Sequence, residues 1–143
     1  GHVFREVMSV TLASGGRARN VVPDAFEMNL NFRFAPNRSM ESARAEVEAL
    51  VAGRAEVEFV DLSPAGRVVT DNPHFAAFIN VSRAEVGAKQ AWTDVARLGQ
   101  VGVDAVNFGP GLSAQAHQAG EYIDIGLMVE SYGMFRRFLA SNE

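Results

Sequence analysis

The strongest constraint on the fold of this chain is a strict two-residue alternation between positions 26 and 34. Phe26, Met28, Leu30, Phe32 and Phe34 alternate with Glu27, Asn29, Asn31 and Arg33. Successive side chains of an extended strand point to opposite faces, so this run has one apolar face and one polar face. A helix would scatter the same five hydrophobes around its circumference. A strand that is apolar on one side only belongs in a sheet covered on one face, which is the habit of antiparallel sheets. A second segment fits beside it. Phe4, Met8, Val10 and Leu12 share one parity, Arg5, Ser9 and Thr11 fall on the other, and Gly15-Gly16 ends the run.

A helix is expected next. Ser39 can cap it, Met40, Ala43, Val47, Leu50 and Val51 recur at helical spacing, and Gly53 stands just past its end. Residues 56–61 alternate again, with Val57 and Phe59 facing one way and Glu56 and Glu58 the other. The order strand, strand, helix, strand describes an antiparallel sheet with a helix on one face, an α+β layer whose other side is free for solvent or a partner. Ser63-Pro64-Ala65-Gly66 then changes the character of the chain, and a boundary is expected there, dividing it into residues 1–64 and 65–143.

The second part reads as α/β alternation. Pro73, after Asp71 and Asn72, opens a helix through Phe75, Phe78, Ile79 and Val86 that ends at Gly87. Residues 89–92 form a short strand, Thr93-Asp94 turns it into a helix through Val95, Ala96 and Leu98, and residues 104–108 form the next strand. A last helix is expected from Asp124 to Ala140. Met128, Tyr132, Phe135 and Leu139 lie on one stripe of it, with Leu127, Met134 and Phe138 beside them, as in a helix that covers a sheet.

Composition narrows the chemistry. About half of the 143 residues are apolar, enough for a core, and the formal net charge of -4 with scattered Lys and Arg leaves no basic stripe for nucleic acid. There is no cysteine, so any metal must be held by His, Asp or Glu, and a cytoplasmic setting is the default. No apolar run approaches the roughly 20 residues that span a bilayer, so neither membrane insertion nor secretion is expected. Gly1-His2 belongs to no recognisable element, and no role is placed on His2.

The residues that can carry chemistry gather in the run Asn107 to Ile123, where Gly109-Pro110-Gly111 stops regular structure and His117 follows. On a helix, His117 and Glu121 would simply face each other across one turn. The glycines at 109, 111 and 120, with Pro110, favour a loop from which the imidazole projects. One imidazole does not make a zinc site, since a catalytic zinc takes about three protein ligands. The nearby carboxylates Asp94, Asp104, Glu121 and Asp124 have no convincing spacing to His117. Thr93 and Asp94 read as a helix cap, or as ligands gathered at a strand end. Arg33 reads as a solvated charge or a carboxylate clamp, and Asn20 as a turn residue.

Taken together these segments resemble a known family. Gly15-Gly16, Ala18 to Asp24 and Asn31-Phe32-Arg33 are similar to the lid-domain strands of the zinc-dependent amidohydrolases that include succinyl-diaminopimelate desuccinylase, acetylornithine deacetylase and carboxypeptidase G. Trp92 to Arg97, Val106 to Gly111, Ala116-His117-Gln118 and Glu121-Tyr122-Ile123 look like the closing part of the same family's catalytic domain, with wording nearest the succinyl-diaminopimelate desuccinylases. The resemblance implies a partial lid, or dimerisation, domain followed by a C-terminal catalytic segment. It implies a homodimer formed through the lid sheet, two zinc ions in the complete enzyme and an N-acyl amino acid as substrate. His117 matches a zinc ligand, and Asn20, Arg33, Thr93 and Gly109 match substrate-binding positions. The family's His-x-Asp motif, bridging Asp, Glu-Glu pair and lid His have no counterpart here. At most one metal ligand and no catalytic residue are therefore expected in this chain, which is expected to be inactive alone. Acetylornithine deacetylase-like specificity and a non-catalytic dimerisation module are the alternatives.

Overall fold

The computed structural model describes residues 2–141. Two strands, β1 (Val7–Gly15) and β2 (Phe26–Arg33), and four helices, α1 (Met40–Val51), α2 (Pro73–Ser82), α3 (Val95–Gln100) and α4 (Ile125–Ala140), make up its regular structure, with one 3-10 turn at Ser113–Gln115. The chain divides into two compact units. One holds residues 1–67 and 88–101, the other 68–87 and 102–143.

In the first unit β1 and β2 form an antiparallel pair, and α1 follows, so the expected sheet-plus-helix lid is present. The parity of β1 is not uniform along the strand. Met8 and Val10 lie opposite Phe32 and Leu30, but the register slips at Thr11, so that Leu12 lies opposite Asn29 and Ala13 opposite Met28. Thr11 is a bulge residue, held by the Asn29 amide, whose Nδ2 donates to Thr11 Oγ1 at 2.6 Å. One extra residue reverses the facing of everything beyond it. Leu12, expected on the apolar face with Met8 and Val10, is therefore on the other face, 70% exposed.

Ser39 caps α1 as expected, its Oγ accepting from Ser42 N–H at 3.1 Å. At the other end both Ala52 (φ 48°) and Gly53 (φ 72°) are left-handed, and the Arg54 guanidinium donates to the carbonyls of Val51 and Leu50. Arg38 ties the entry of α1 to the hairpin. It pairs with Glu6 at 2.8 Å and with Glu46, while Ala35 N–H donates to the same Glu6 carboxylate and Phe32 lies under the guanidinium.

Three expected strands are not part of any sheet among the described residues: 56–61, 89–92 and 104–108. A strand exists only through its neighbour's hydrogen bonds, and alternation alone does not supply one. Each run is instead fastened through side chains. Phe59 lies 4.6 Å from the Arg44 guanidinium on α1. The Gln90 amide accepts from Arg5 N–H and donates to the Val3 carbonyl, a side-chain imitation of strand pairing. Trp92 Nε1 donates to the Pro64 carbonyl, and buried Ala96 of α3 lies beside Gly66, which is why residues 88–101 pack with the first unit.

The second unit is built on α2 and α4. Asn72 caps α2, accepting from His74 and Phe75 N–H, and its Nδ2 reaches Asp104 Oδ2 at 3.0 Å. The helix stops at Ser82, with Arg83 left-handed, rather than running on to Val86 and Gly87. Phe78 is the centre of an aromatic cluster: Phe108 stands edge-on at 4.8 Å and Phe138 at 5.2 Å, and Phe135 is at 5.8 Å. Such pairs add to burial through the complementary charge of ring edge and face. Asp124 caps α4 through Leu127 N–H. The face of α4 turned to α2 carries Phe135 and Phe138, and the stripe of Met128, Tyr132 and Leu139 is exposed.

Candidate functional site

The expected site residues fall into both units. Asn20 is at the exposed tip of the β1–β2 connection, a loop closed by an Arg17–Asp24 ion pair of 2.6 Å. Arg33 is the last residue of β2, opposite Val7, and exposed. The length of β2 separates these two by about 20 Å, at roughly 3.3 Å per residue, so they do not form one subsite within the hairpin. Thr93 is half-buried just ahead of α3 in the same unit. Gly109 and His117 belong to the second unit, both exposed, on the irregular segment between residue 108 and α4.

That segment is a series of successive turns. After the 3-10 turn at Ser113–Gln115, His117 takes a left-handed backbone (φ 63°) and Gly120 another (φ 79°). His117 N–H donates to Glu121 Oε2 at 3.0 Å. The imidazole is thus on a loop, not on a helix facing Glu121. Glu121 touches residue 117 through its backbone amide, a contact that the four-residue spacing alone did not disclose.

Whether these residues fit a zinc ion is decided by what the neighbouring carboxylates do. Asp104 accepts from the α2 cap Asn72, Asp124 caps α4, Asp94 pairs with Arg97 at 3.4 Å, and Glu121 holds the His117 amide. All four are engaged in holding local structure. Among the described residues no three His, Cys, Asp or Glu side chains lie together as a metal-binding group. The donor set therefore does not fit a self-contained zinc site. Asp94 also departs from its expected role: it stands before α3 in a helical conformation and makes no capping hydrogen bond.

Comparison with known proteins finds a likeness in the first unit. Residues 2–58 match the peptidase dimerisation domain family, and they contain β1, β2 and α1. This segment is similar to a peptidase dimerisation domain. The similarity extends beyond it. Over 97% of its length the chain is 34% identical to a Mycobacterium tuberculosis protein bearing the provisional name succinyl-diaminopimelate desuccinylase DapE, and over 98% it is 34% identical to the succinyl-diaminopimelate desuccinylase of Corynebacterium glutamicum. An acetylornithine deacetylase of Myxococcus xanthus is 26% identical over 93% of the chain. The chain spans about 40% of the length of these relatives. The similarity to these enzymes thus covers both the segment that matches the family model and the segment that follows it. Among the described residues no helix is long and apolar enough to cross a membrane.

Proposed function

We propose that this chain is a section of a metal-dependent amide hydrolase that cleaves the succinyl amide of an N-succinyl diamino acid, and that it is inactive alone. The observation that carries this reading is the 34% identity to desuccinylases of two genera across nearly the whole chain, against 26% to the acetylornithine deacetylase. In this reading His117 supplies one zinc ligand, and the remaining ligands and the general base come from polypeptide of the kind that fills the other part of the relatives' length. Zinc in such enzymes polarises the amide carbonyl and activates water. Asn20, Arg33, Thr93 and Gly109 contact the substrate. The dimerisation domain pairs with a second copy through its sheet, whose long edges are open among the described residues. A cytoplasmic setting and the absence of nucleic-acid and membrane partners belong to the same proposal.

The test is complementation. The purified chain is mixed with the section of the Corynebacterium glutamicum desuccinylase that it does not match, together with zinc, and hydrolysis of succinyl-diaminopimelate and acetylornithine is followed side by side. The expected result is no turnover by the chain alone, rescued turnover of the succinyl substrate, and a loss of at least about a hundredfold on His117→Ala. Rescue that survives His117→Ala removes His117 from the site, and preferential cleavage of acetylornithine transfers the chain to the deacetylases. The likeness to a dimerisation domain, with no three-donor metal group among the described residues, supports a second reading, a dimerisation module without chemistry. Stoichiometric homodimers that no complementing section activates would favour it over the hydrolase.

A further inference from the structure

We propose that the outer half of the β1–β2 hairpin is the contact face for a second copy of this chain, packed sheet face to sheet face, with Met28 of each copy seated over Ala13 of the other. The inference rests on the dimerisation reading above and names the surface that carries it. The apolar face of the hairpin is covered along only part of its length. Toward the entry of α1, Met8, Leu30 and Phe32 are half-buried, and the Arg38 guanidinium lies over Phe32. Toward the connecting loop the cover ends: Val10, Met28 and Phe26, on that same face, are 55%, 61% and 64% exposed. A two-stranded hairpin is marginal in water until a further layer packs on its apolar face.

The shape of the bare strip says what that layer is. Residues opposite each other in a strand pair share a face, so Ala13 stands beside Met28 and Gly15 beside Phe26. Phe26 leans over Gly15: a Cβ added at Gly15 would meet the ring carbon Cδ2 at 2.5 Å. The ring therefore fills the gap beside it, and Met28 is left standing next to the short Ala13. A knob on one strand beside a hole on the other is complementary to itself. A two-fold axis running along the strands, between two sheets packed face to face, puts each Met28 above Ala13 of the other copy. Glu27, which lies between Phe26 and Met28, points to the opposite face, so the contact buries no charge from this stretch of β2.

The bulge supplies a matched control. Val10 and Leu12 share a parity in the sequence, yet the slip at Thr11 puts them on opposite faces, both well exposed. The chain has no cysteine, so a single-cysteine variant reports on one position. With a bismaleimide that reaches roughly 10 Å, the spacing of packed sheets, the whole chain is treated as Val10→Cys or as Leu12→Cys. Val10→Cys is expected to crosslink chain to chain at least about tenfold faster, because neighbours in a complex meet at a raised local concentration. Filling the hole with Ala13→Met in the Val10→Cys chain is expected to bring the rate down to that of Leu12→Cys, and adding Met28→Ala, which moves the knob to the other strand, to restore it. Equal rates at Val10→Cys and Leu12→Cys in a chain that sediments as a dimer or larger overturn the proposal and leave dimerisation standing. A fast rate that Ala13→Met does not lower, or that Met28→Ala does not restore, overturns the seating of Met28 over Ala13. Protection of Val10→Cys from the reagent only after the unmatched section of the Corynebacterium glutamicum desuccinylase is added gives the strip to that section and overturns the proposal as well. A chain that sediments as a monomer sinks the dimerisation reading itself, and this inference with it.

Discussion

Arg38 shows how much one residue can organise where the hydrophobic core is thin. Its guanidinium links Glu6, ahead of β1, to Glu46 on α1 and lies over Phe32 on β2. The hydrogen bond from Ala35 N–H, followed by the bond and charge of Arg38, holds the Glu6 carboxyl below its usual 4.5. Glu41 is lowered as well, first by its own backbone N–H and then by the Ser39 hydroxyl. The sign follows from linkage. A carboxyl depressed in the folded state contributes stability above its unfolded value, and that contribution is lost as pH falls through the folded value. Acid is therefore expected to loosen the first unit as pH drops below about 4.5, and Glu6→Gln to flatten that part of the dependence. Circular-dichroism melts of both proteins between neutral pH and pH 3 measure it; an identical acid slope in Glu6→Gln would count against the Glu6–Arg38 link.

At the scale of elements, the sequence is most legible where a local rule acts alone. Ser39, Asn72 and Asp124 are caps, and their helices begin one residue later because a side-chain oxygen beside free amides needs no tertiary help. The alternation of residues 26–33 gives β2 for the same reason. Legibility fails where the outcome depends on a partner or a count. The bulge at Thr11 has no signature in the apolar pattern and reverses the far half of β1, and the alternating run 56–61 and the short strand-like runs 89–92 and 104–108 meet no neighbouring strand among the described residues. In the site, the exposed loop position of His117 could be read from its glycines, but the engagement of Asp94, Asp104, Glu121 and Asp124 could not, because each depends on a contact rather than a spacing. The end of α1 offers a prediction at this scale. Ala52 bears the left-handed conformation that glycine accepts without strain, so Ala52→Gly is expected to stabilise the chain by about 0.5–1 kcal/mol, measured as a higher melting temperature. A drop would mean that the Cβ of Ala52 contributes packing that outweighs the relief.

For the molecule as a whole, the decisive quantity is surface. The chain exposes 11362 Å². A compact monomer of its mass would expose about 7,200 Å², and even two separate domains sharing that mass about 8,700 Å². Among the described residues the apolar side chains buried outright are those of Ala43, Val69 and Ala96, none of them large. On α4 alone, Ile125, Val129 and Tyr132 are 76%, 65% and 69% exposed, and Leu139 extends the stripe. A specific interface of ordinary size covers about 800 Å² on each partner, so pairing through the dimerisation sheet leaves most of the excess uncovered. Large apolar side chains exposed along one helix stripe form an association surface. The isolated chain is therefore expected to scatter light as species larger than a dimer, and to resolve into a defined complex when the unmatched section of the Corynebacterium glutamicum desuccinylase is added. Placing charge on the α4 stripe, as in Tyr132→Lys with Leu139→Lys, should reduce the association beyond the dimer without loss of helix signal, because neither side chain joins the Phe78 cluster. If instead the unmodified chain runs as a monodisperse monomer, its apolar surface must be buried internally, in a packing different from the one described, and the argument that it requires further polypeptide falls with it.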